Sequence, residues 1–525
     1  MSTHPTLIGG AWRDPRPDAP TLSPRNPATG EFLPDSYPVS TWAEIEAALH
    51  ASHEAKVELA GQAPDVIARF LEAYAAEIET RADALVEIAH LETALPREPR
   101  LRAVELPRTT GQLRQAAAAA RERSWRRATI DTKINIRSIL GPLDGPVVVF
   151  GPNNFPYAFN GVSGGDFAAA IAAGNPVIAK ANPGHPGASR LLAEAALAAI
   201  AASGAPASLV QMLYHLQPED GLRLVSHPLV GATAFTGSRR AGMALKEAAD
   251  GAGKPIYLEM SSVNPVFILP GALQERSSAI AGDLFGSCTL GVGQFCTKPG
   301  VAVLLAGEQG DAFVQGVAGL MAGHAPGVLL SERAPGECAA AVATLQAHGA
   351  EVVVGGTAGD GPGYRFASTL LRVSGDRFVL NAPALQTEVF GPVALLVLAR
   401  SQEQMLAIAR SLEGNLTASV YTHSQGQDDD LYDRLEPILR QKVGRLLNDK
   451  MPTGVAVVAA MNHGGPFPAT GHPGFTAVGI PASMLRFAAL HCYDNVRSHR
   501  LPPELQDANP TGAMWRFVDG EWTHR

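Results

Sequence analysis

The chain has few cysteines, and their spacing argues against two common uses of this residue. Only four occur among 525 residues, at Cys288, Cys296, Cys338 and Cys492. None of them forms the closely spaced pair that zinc sites use, and four thiols in so long a chain do not make a disulfide framework. We therefore expect no metal site and a cytoplasmic protein.

A basic excess and long apolar runs are also missing. The formal net charge is −8, so the chain as a whole does not attract the phosphates of nucleic acid or an anionic membrane. No stretch of about 18 uncharged apolar residues occurs, and the first residues lack the basic start and apolar core of an export signal. We expect neither nucleic acid nor a membrane as a partner. The 46% of hydrophobic residues is typical of a globular protein.

The order of the apolar segments predicts an α/β fold. Between positions 41 and about 120 apolar residues recur at helical spacing, which predicts several helices. The runs VVVF at 147–150 and PVIAK at 176–180 are short and uniformly apolar, as buried parallel strands are. Helix-like segments separate these runs, and a second alternating series extends over about 265–462. Such alternation indicates two α/β domains with mostly parallel sheets.

Two further segments fall outside these series. Residues 129–145, TIDTKINIRSILGPLDG, alternate polar and β-branched side chains, which predicts an exposed hairpin. The last stretch, from Phe487 onward, is rich in proline and arginine and contains two tryptophans. It is either an arm that packs on another subunit or an ordered tail.

The segment LGVGQFCTKPG, at 290–300, places Cys296 among glycines. Small neighbours leave room for a substrate and let backbone N–H groups approach, as the stabilisation of an oxyanion requires. An isolated cysteine is more often an inert buried thiol, so this segment alone leaves both interpretations open. Cys288 lacks the glycines, and we expect it, Cys338 and Cys492 to be structural.

Two polar residues at strand ends are candidates for the chemistry that a nucleophilic thiol needs. Glu259, in YLEMSSVNP, follows an apolar run and is a candidate general base; a surface or capping role is the alternative. Asn154, in FGPNNFP, follows the strand VVVF and can donate to an oxyanion; a simple turn is the alternative.

A phosphate site is indicated by FTGSRRAG, at 235–242. Gly237 and Ser238 would stand at the start of a helix, where N–H groups and a hydroxyl face an anion. The segment lacks the full GxGxxG pattern, so the signal is weak. Lys180 ends a neighbouring strand, at the sheet edge where open α/β folds bind ligands.

Six motifs in this order resemble the aldehyde dehydrogenase superfamily over nearly the whole chain: FGPNNFP, VIAKANPGHPG, FTGSRRAG, YLEMSSVNP, GQFCTKPG and TEVFGP. The resemblance implies a Rossmann-like cofactor domain, an α/β catalytic domain and a β-arm that joins subunits into a homodimer or homotetramer. The implied ranges are 1–124 and 147–261 for the cofactor domain, 262–466 for the catalytic domain, 125–146 and 488–525 for the arm and C-terminal tail, and 467–487 for a return to the cofactor domain.

The same resemblance implies roles for single residues. Cys296 attacks the aldehyde, Asn154 and the Cys296 backbone N–H hold the oxyanion, and hydride passes to NAD(P)⁺. Glu259 then activates the water that hydrolyses the thioester. The implied cofactor contacts are Lys180, Gly237, Ser238, Arg239, Glu388 at the nicotinamide ribose, and Phe390. The implied substrate tunnel is apolar and contains Phe155, Phe159, Val162 and Phe467.

One departure from the family pattern concerns the cofactor. Pro183 stands three residues after Lys180, where members that prefer NAD⁺ usually have a carboxylate, so nothing there repels a 2′-phosphate. Arg239 and Arg240 lie near the phosphate loop. We therefore expect NADP⁺ to be favoured over NAD⁺.

Three segments most resemble the 2,5-dioxovalerate (α-ketoglutaric semialdehyde) branch and its NADP-dependent relatives: NNFPYAFNGVSGGDFAAAIAAGNPVIAK, SSVNPVFILPGAL and NHGGPFPATGHPGFTAVGIPASMLRFAALHCYDNVR. This implies oxidation of 2,5-dioxovalerate to 2-oxoglutarate, with a medium- or long-chain fatty aldehyde as the alternative. No arginine at a matched position recognises a carboxylate. A cysteine acyl hydrolase without redox chemistry is a further alternative, but it needs a histidine partner, and we expect His185, His463 and His472 to be structural.

Overall fold

A computed structural model describes residues 3–63 and 65–524, so positions 1, 2, 64 and 525 of the predicted ranges lie outside the described residues. The strands are β1 Thr6–Ile8, β2 Ala11–Arg13, β3 Thr21–Leu22, β4 Tyr37–Pro38, β5 Thr129–Asp131, β6 Ile136–Pro142, β7 Val147–Phe150, β8 Val177–Lys180, β9 Val210–Leu213, β10 Ala232–Thr236, β11 Ile256–Glu259, β12 Val266–Ile268, β13 Val301–Leu305, β14 Glu351–Val354, β15 Thr369–Ser374, β16 Val393–Ala399, β17 Asn415–Tyr421, β18 Val443–Asn448, β19 Ala488–Asp494, β20 Arg516–Val518 and β21 Glu521–Thr523. The helices are α1 Trp42–Ala60, α2 Val66–Thr80, α3 Ala82–Thr93, α4 Leu106–Glu122, α5 Gly165–Ala172, α6 Pro186–Ser203, α7 Pro218–Val225, α8 Arg239–Gly251, α9 Pro270–Thr289, α10 Glu308–Ala322, α11 Ala334–Ala347, α12 Gly375–Leu380, α13 Ala382–Leu385, α14 Gln402–Ser411 and α15 Asp429–Arg440.

The first sheet has the strand order β11-β10-β7-β8-β9-β1-β2. Its five strands from β11 to β9 are parallel, and β1 and β2 extend it with antiparallel pairing. The strand β7 is almost wholly buried, as its unbroken apolar run predicts for a strand covered on both faces. Helices α2, α4 and α6 pack together beside this sheet.

The second sheet has the order β14-β15-β16-β13-β12-β17-β18. All its pairs are parallel except that of β14 with β15. The third sheet, β19-β6-β5-β20-β21, contains the predicted hairpin of β5 and β6 together with strands from the C-terminal stretch. The strands of each sheet fall within one of the predicted domain ranges, and the division into domains stays a prediction.

The turns after the parallel strands of the first sheet meet the second sheet at a cavity of about 440 Å³. Residues that follow β7, β8, β10 and β11 line one side of it, and residues of the second α/β unit line the other. The carboxyl ends of parallel strands are where open α/β sheets bind ligands. Among the described residues no helix has both the length and the apolar character needed to cross a membrane.

Candidate active site

Cys296 lies in a tightly constrained loop at this cavity. Gly291, Val292 and Gly293 all have positive φ, at 57°, 57° and 70°, a conformation that is costly for a β-branched residue such as Val292. A Cβ on Gly293 would lie 2.2 Å from the carbonyl oxygen of Gly391, so only glycine fits. The glycines around Cys296 therefore shape the turn that brings its thiol to the cavity.

The Cys296 thiol contacts a histidine that in turn contacts Glu259. Nε2 of His463 lies 3.3 Å from Sγ of Cys296 and 2.9 Å from Oε1 of Glu259. The histidine and the glutamate are 1% and 2% exposed, and Oε2 of Glu259 is buried without a hydrogen-bond partner. Nucleophile and candidate base, 37 positions apart in the chain, are thus joined through one ring nitrogen.

The charge of His463 follows from this placement. Burial by itself lowers the pKa of a histidine, but the negative charges of Glu259 and Cys296 and the hydrogen bonds to both raise the pKa of His463 from 6.5 to about 10. The stable form of His463 at neutral pH is therefore the imidazolium, which lies beside the sulfur of Cys296 and the carboxyl group of Glu259. Such a cation favours the nucleophilic form of a cysteine.

His463 was expected to be structural, and its position beside Cys296 and Glu259 does not fit that expectation. The loop around it, NHGGPFPATG, has no helical or strand periodicity that would place it in space. The one signal in the sequence was chemical, because a nucleophilic cysteine needs a base or a cation nearby. His185 is buried, and its Nε2 hydrogen-bonds the carbonyl oxygen of Pro152, which is consistent with a structural role.

The donor atoms of Cys296, His463 and Glu259 lie within 4.8 Å of one another. Thiolate, imidazole and carboxylate are also the ligands of zinc sites. The sequence-based expectation of no metal therefore stays a prediction.

Asn154 also lines the cavity. Its side chain is 6% exposed, and Nδ2 donates a 2.9 Å hydrogen bond to the carbonyl oxygen of Gln294, two residues before Cys296. This bond uses one N–H of the amide and leaves the second N–H to donate to a ligand oxygen. The amide is thereby oriented beside the thiol, as an oxyanion donor must be.

Most of the predicted cofactor residues surround the same cavity. Gly237, Ser238, Glu388 and Phe390 line it, together with Pro183. Burial raises the pKa of Glu388 to about 7, although the neighbouring Lys298 and hydrogen bonds from Ser261 and Ser262 oppose this. A carboxylate that titrates near neutral pH can accept hydrogen bonds from ribose hydroxyls when ionised.

Two polar groups in this region fit a phosphorylated, hydroxyl-rich cofactor. The hydroxyl of Thr236 is buried without a hydrogen-bond partner. Burial lowers the pKa of Lys180 to about 8, and its ammonium forms no ion pair with another described residue. Uncompensated buried polar groups beside a cavity are suited to a polar ligand. The chemistry of these donors therefore fits a nicotinamide dinucleotide.

Not every predicted cofactor residue faces the cavity. Arg239 forms an ion pair with Glu413 at 3.0 Å, and its guanidinium lies 5.5 Å from the ring of Phe467. The side chain of Ser238 caps helix α8 by accepting from the N–H of Ala241. The structure thus brings Ser238 to the start of a helix, as predicted, but directs Arg239 away towards the second unit.

The four predicted tunnel residues separate into two groups. Phe155 and Phe159 pack edge to face with ring centroids 5.3 Å apart, and Phe155 also contacts Phe295, beside Cys296. Val162 is instead fully buried in the main hydrophobic core, because the chain has turned towards α5. Phe467 is 56% exposed, so the structure does not place these last two at the nucleophile.

The other cysteines differ from Cys296 in their surroundings. All four are free thiols. Burial raises the pKa of Cys288 to about 12 and that of Cys338 to about 11, which disfavours the reactive thiolate. Cys338 nevertheless lines the cavity, whereas Cys492 lies exposed on β19.

Comparison with known proteins matches the chain to one family. The sequence model of the aldehyde dehydrogenase family matches residues 12–438. The chain belongs to the aldehyde dehydrogenase family. It is 41% identical over 520 residues to alpha-ketoglutaric semialdehyde dehydrogenase 2 of Azospirillum brasilense, with 96% of each chain covered. It is 36% identical over 523 residues to alpha-ketoglutaric semialdehyde dehydrogenase of Acinetobacter baylyi, again with 96% of each covered.

The fold agrees with this membership. The structure of a mutant of aldehyde dehydrogenase C from Pseudomonas syringae, complexed with NAD⁺ and octanal, matches with a TM-score of 0.78 at 20% identity, over 94% of this chain and 96% of that chain. The predicted superfamily, its α/β fold and the resemblance to the α-ketoglutaric semialdehyde branch are confirmed. This aldehyde dehydrogenase is an enzyme that oxidises an aldehyde with a nicotinamide cofactor.

Proposed function

We propose that this aldehyde dehydrogenase oxidises 2,5-dioxovalerate to 2-oxoglutarate through a covalent thioester on Cys296. The geometry that carries the chemical part of the proposal is the contact of His463 with both Cys296 and Glu259. The substrate is supported by the Azospirillum brasilense relative, which is similar along nearly the whole chain.

Acylation begins at the thiolate that the His463 imidazolium stabilises. Sγ of Cys296 forms a bond to the aldehyde carbon, and the carbonyl π electrons move to the oxygen. The second N–H of Asn154 and the Cys296 backbone N–H donate to this oxyanion. A bound nicotinamide would supply the hydride acceptor, and loss of hydride from the carbon bonded to Sγ of Cys296 would re-form the carbonyl as a thioester.

Deacylation needs a base that is close to the thioester and out of bulk water. Oε2 of the buried Glu259 has no other partner, so it is available to remove a proton from water. The hydroxide oxygen bonds to the acyl carbon, the C–S bond breaks, and the electron pair returns to Sγ of Cys296. The His463 imidazolium stabilises that returning charge.

We also propose NADP⁺ as the favoured cofactor. Pro183 lines the cavity in place of a carboxylate, so no negative charge at this position opposes a 2′-phosphate. Arg240 is exposed and in no ion pair with a described residue, whereas Arg239 is held by Glu413. Arg240 is therefore the better candidate for the phosphate. Comparison of kcat/KM for NADP⁺ and NAD⁺ in wild type and Arg240→Ala tests this, and an unchanged ratio contradicts it.

The third sheet is proposed to join subunits into a homodimer or homotetramer. It carries large exposed apolar side chains, with Leu490 68% exposed and Trp522 58% exposed, and exposed apolar groups mark interaction surfaces. Light scattering of wild type and Leu490→Asp measures the assembly. A wild type that stays monomeric contradicts this part.

The test of the main proposal is oxidation of 2,5-dioxovalerate, followed by the absorbance of reduced cofactor and by 2-oxoglutarate formed. Wild type turns over, Cys296→Ala does not, and Glu259→Gln gives about one equivalent of reduced cofactor and then stalls. Equal steady rates for wild type and Glu259→Gln refute the deacylation role. Inactivity of wild type with 2,5-dioxovalerate, but turnover of other aldehydes, refutes the substrate.

A second activity, hydrolysis of activated esters without redox chemistry, is favoured by one observation. Cys296 has the histidine partner that a cysteine acyl hydrolase requires, at 3.3 Å. Release of acid from p-nitrophenyl acetate in the absence of cofactor measures this activity. If His463→Gln hydrolyses the ester as fast as wild type, the histidine does not serve it.

A further inference from the structure

Arg108 is a half-buried cation close to the nucleophile. It lies in the first turn of α4, and its guanidinium carbon is 5.6 Å from the ring of Phe155 and 5.3 Å from that of Phe159. The first ring packs on the residue before Cys296, and the second lies 5.9 Å from the ring of His463. The rings of Phe155 and Phe159 therefore connect Arg108 to the residues that contact or neighbour the thiol of Cys296.

One edge of this guanidinium has no hydrogen-bond partner. Nη1 donates a 2.9 Å hydrogen bond to the carbonyl oxygen of Val455, but Nε and Nη2 are both buried without a partner. In Arg97 the same two nitrogens donate hydrogen bonds to the two carboxylate oxygens of Glu87, at 2.8 Å and 2.7 Å. Arg108 thus keeps unused the edge that matches a carboxylate in two parallel hydrogen bonds.

The charge of Arg108 is also uncompensated. Burial lowers its pKa, and the largest opposing influence is the negative charge of Cys296. Arg108 forms no ion pair with any acidic side chain in the described part of the chain. The nearby Arg100, by contrast, pairs with Glu105 and donates to the carbonyl oxygen of Asn154. A buried cation that is in no ion pair is unfavourable, so this position favours an anionic ligand.

Arg445 adds to the positive field but offers fewer donors. Burial lowers its pKa, and the charge of Cys296 opposes this. Its terminal nitrogens donate to the carbonyl oxygens of Pro452 and Gly454. Arg445 therefore secures the loop at 452–461, whereas Arg108 has the free edge.

We propose that the Nε and Nη2 edge of Arg108 binds the carboxylate of an oxo-acid aldehyde, at the end of the substrate away from the carbon that Cys296 attacks. This rests on the proposed function and specifies which residue selects its substrate class. Because the side chain is long and flexible, a rotation brings the edge to the ligand while the phenylalanines enclose the carbon chain. The subsite explains how a site with apolar walls accepts a charged substrate.

The test compares two aldehydes of the same length, 2,5-dioxovalerate and pentanal, in wild type and three variants. Arg108→Met removes the charge and keeps most of the side-chain volume. Arg108→Lys keeps the charge but cannot form a bidentate pair with a carboxylate. Arg114→Met, on the same helix, removes a surface arginine that pairs with Glu79 and is the control. Thermal unfolding of every variant checks that the fold is kept.

The expected result is a change in preference rather than a general loss. In Arg108→Met the ratio of kcat/KM for 2,5-dioxovalerate to that for pentanal falls about 100-fold, the size expected when one partner of a buried charge pair is removed. The larger part of the loss is in KM. The ratio for Arg108→Lys lies between those of wild type and Arg108→Met, and Arg114→Met keeps the wild-type ratio. An equal loss with both aldehydes, together with slower alkylation of Cys296 by iodoacetamide, shows that Arg108 acts on the nucleophile and overturns the proposal.

A second measurement separates this inference from the proposed function. Glutarate has a carboxylate at each end and no aldehyde, so its inhibition of pentanal oxidation reports binding of a carboxylate at the subsite. If wild type does not oxidise 2,5-dioxovalerate but glutarate inhibits competitively and Arg108→Met weakens that inhibition at least 10-fold, the subsite stands and the proposed substrate fails. If 2,5-dioxovalerate is oxidised and neither its KM nor glutarate inhibition depends on Arg108, the subsite is refuted and the substrate stands.

Discussion

Replacing His463 by glutamine removes the cation between Cys296 and Glu259 and leaves these two acidic groups without a positive charge between them. The rise in the pKa of His463 from 6.5 to about 10 corresponds to a preference for the charged form on the order of 5 kcal/mol. Sγ of Cys296 and Oε1 of Glu259 lie at 3.3 Å and 2.9 Å from the same nitrogen, so both groups contribute to this preference. Losing a cation worth even about 1.4 kcal/mol to the ionised thiol would slow its reaction about tenfold.

The assay is the rate at which iodoacetamide inactivates the enzyme near neutral pH. His463→Gln is expected to react at least about tenfold more slowly than wild type. His472→Gln is the matched control, because His472 lies in an exposed loop where it accepts from the N–H of Gly474. If His463→Gln is alkylated within about threefold of the wild-type rate, the electrostatic role of this histidine is refuted.

The same shift predicts how stability changes with pH. A folded-state pKa above the unfolded value means that the contribution of His463 is complete below about pH 6.5 and is lost as the pH rises towards 10. Denaturant unfolding at about pH 6.5 and pH 9.5 measures this difference. The fall in the free energy of unfolding is expected to be smaller in His463→Gln than in wild type, and equal falls contradict the assignment.

Three further predictions concern the loop and the cofactor pocket. Gly293→Ala places a Cβ against the carbonyl oxygen of Gly391, at a φ of 70°, so it should lower the melting temperature and abolish turnover. Gly316→Ala is the control and should do neither, because a Cβ there meets nothing within 4 Å. Because the pKa of Glu388 is raised to about 7, KM for the cofactor should fall as the pH rises through 7, and Glu388→Gln should lose this dependence. Lys180→Met should raise KM for the cofactor at least 10-fold, because it removes a buried cation two positions before Asn182, which lines the pocket. An unchanged KM would exclude Lys180 from the cofactor site.

The parts of the fold that the sequence predicts well are those with a local pattern. The runs at 147–150 and 177–180 are buried parallel strands, and the hairpin of β5 and β6 pairs as expected. Cys296, Glu259 and Asn154 each stand in a short motif at a strand end or in a glycine-rich turn, and the fold brings them to one cavity. Local patterning and the position of strand ends were sufficient for these elements.

The parts that were missed depend on contacts between distant segments. His463 comes from a loop with no periodicity, and Arg108 from a helix that looks like scaffold, yet both reach the surroundings of Cys296. Val162 and Phe467 stand close in sequence to Phe159 and to the loop of His463, but one turns into the core and the other to the surface. Nothing within a few residues of these four positions encodes the direction of the side chain.

The most direct test of the thioester mechanism is peptide mass spectrometry of Glu259→Gln after it is mixed with 2,5-dioxovalerate and NADP⁺ and quenched in acid. The account predicts one equivalent of reduced cofactor and an acyl group bound to Cys296, with Cys338, the other thiol that lines the cavity, unmodified. Reduced cofactor without an adduct on Cys296, or an adduct on Cys338 instead, would contradict it.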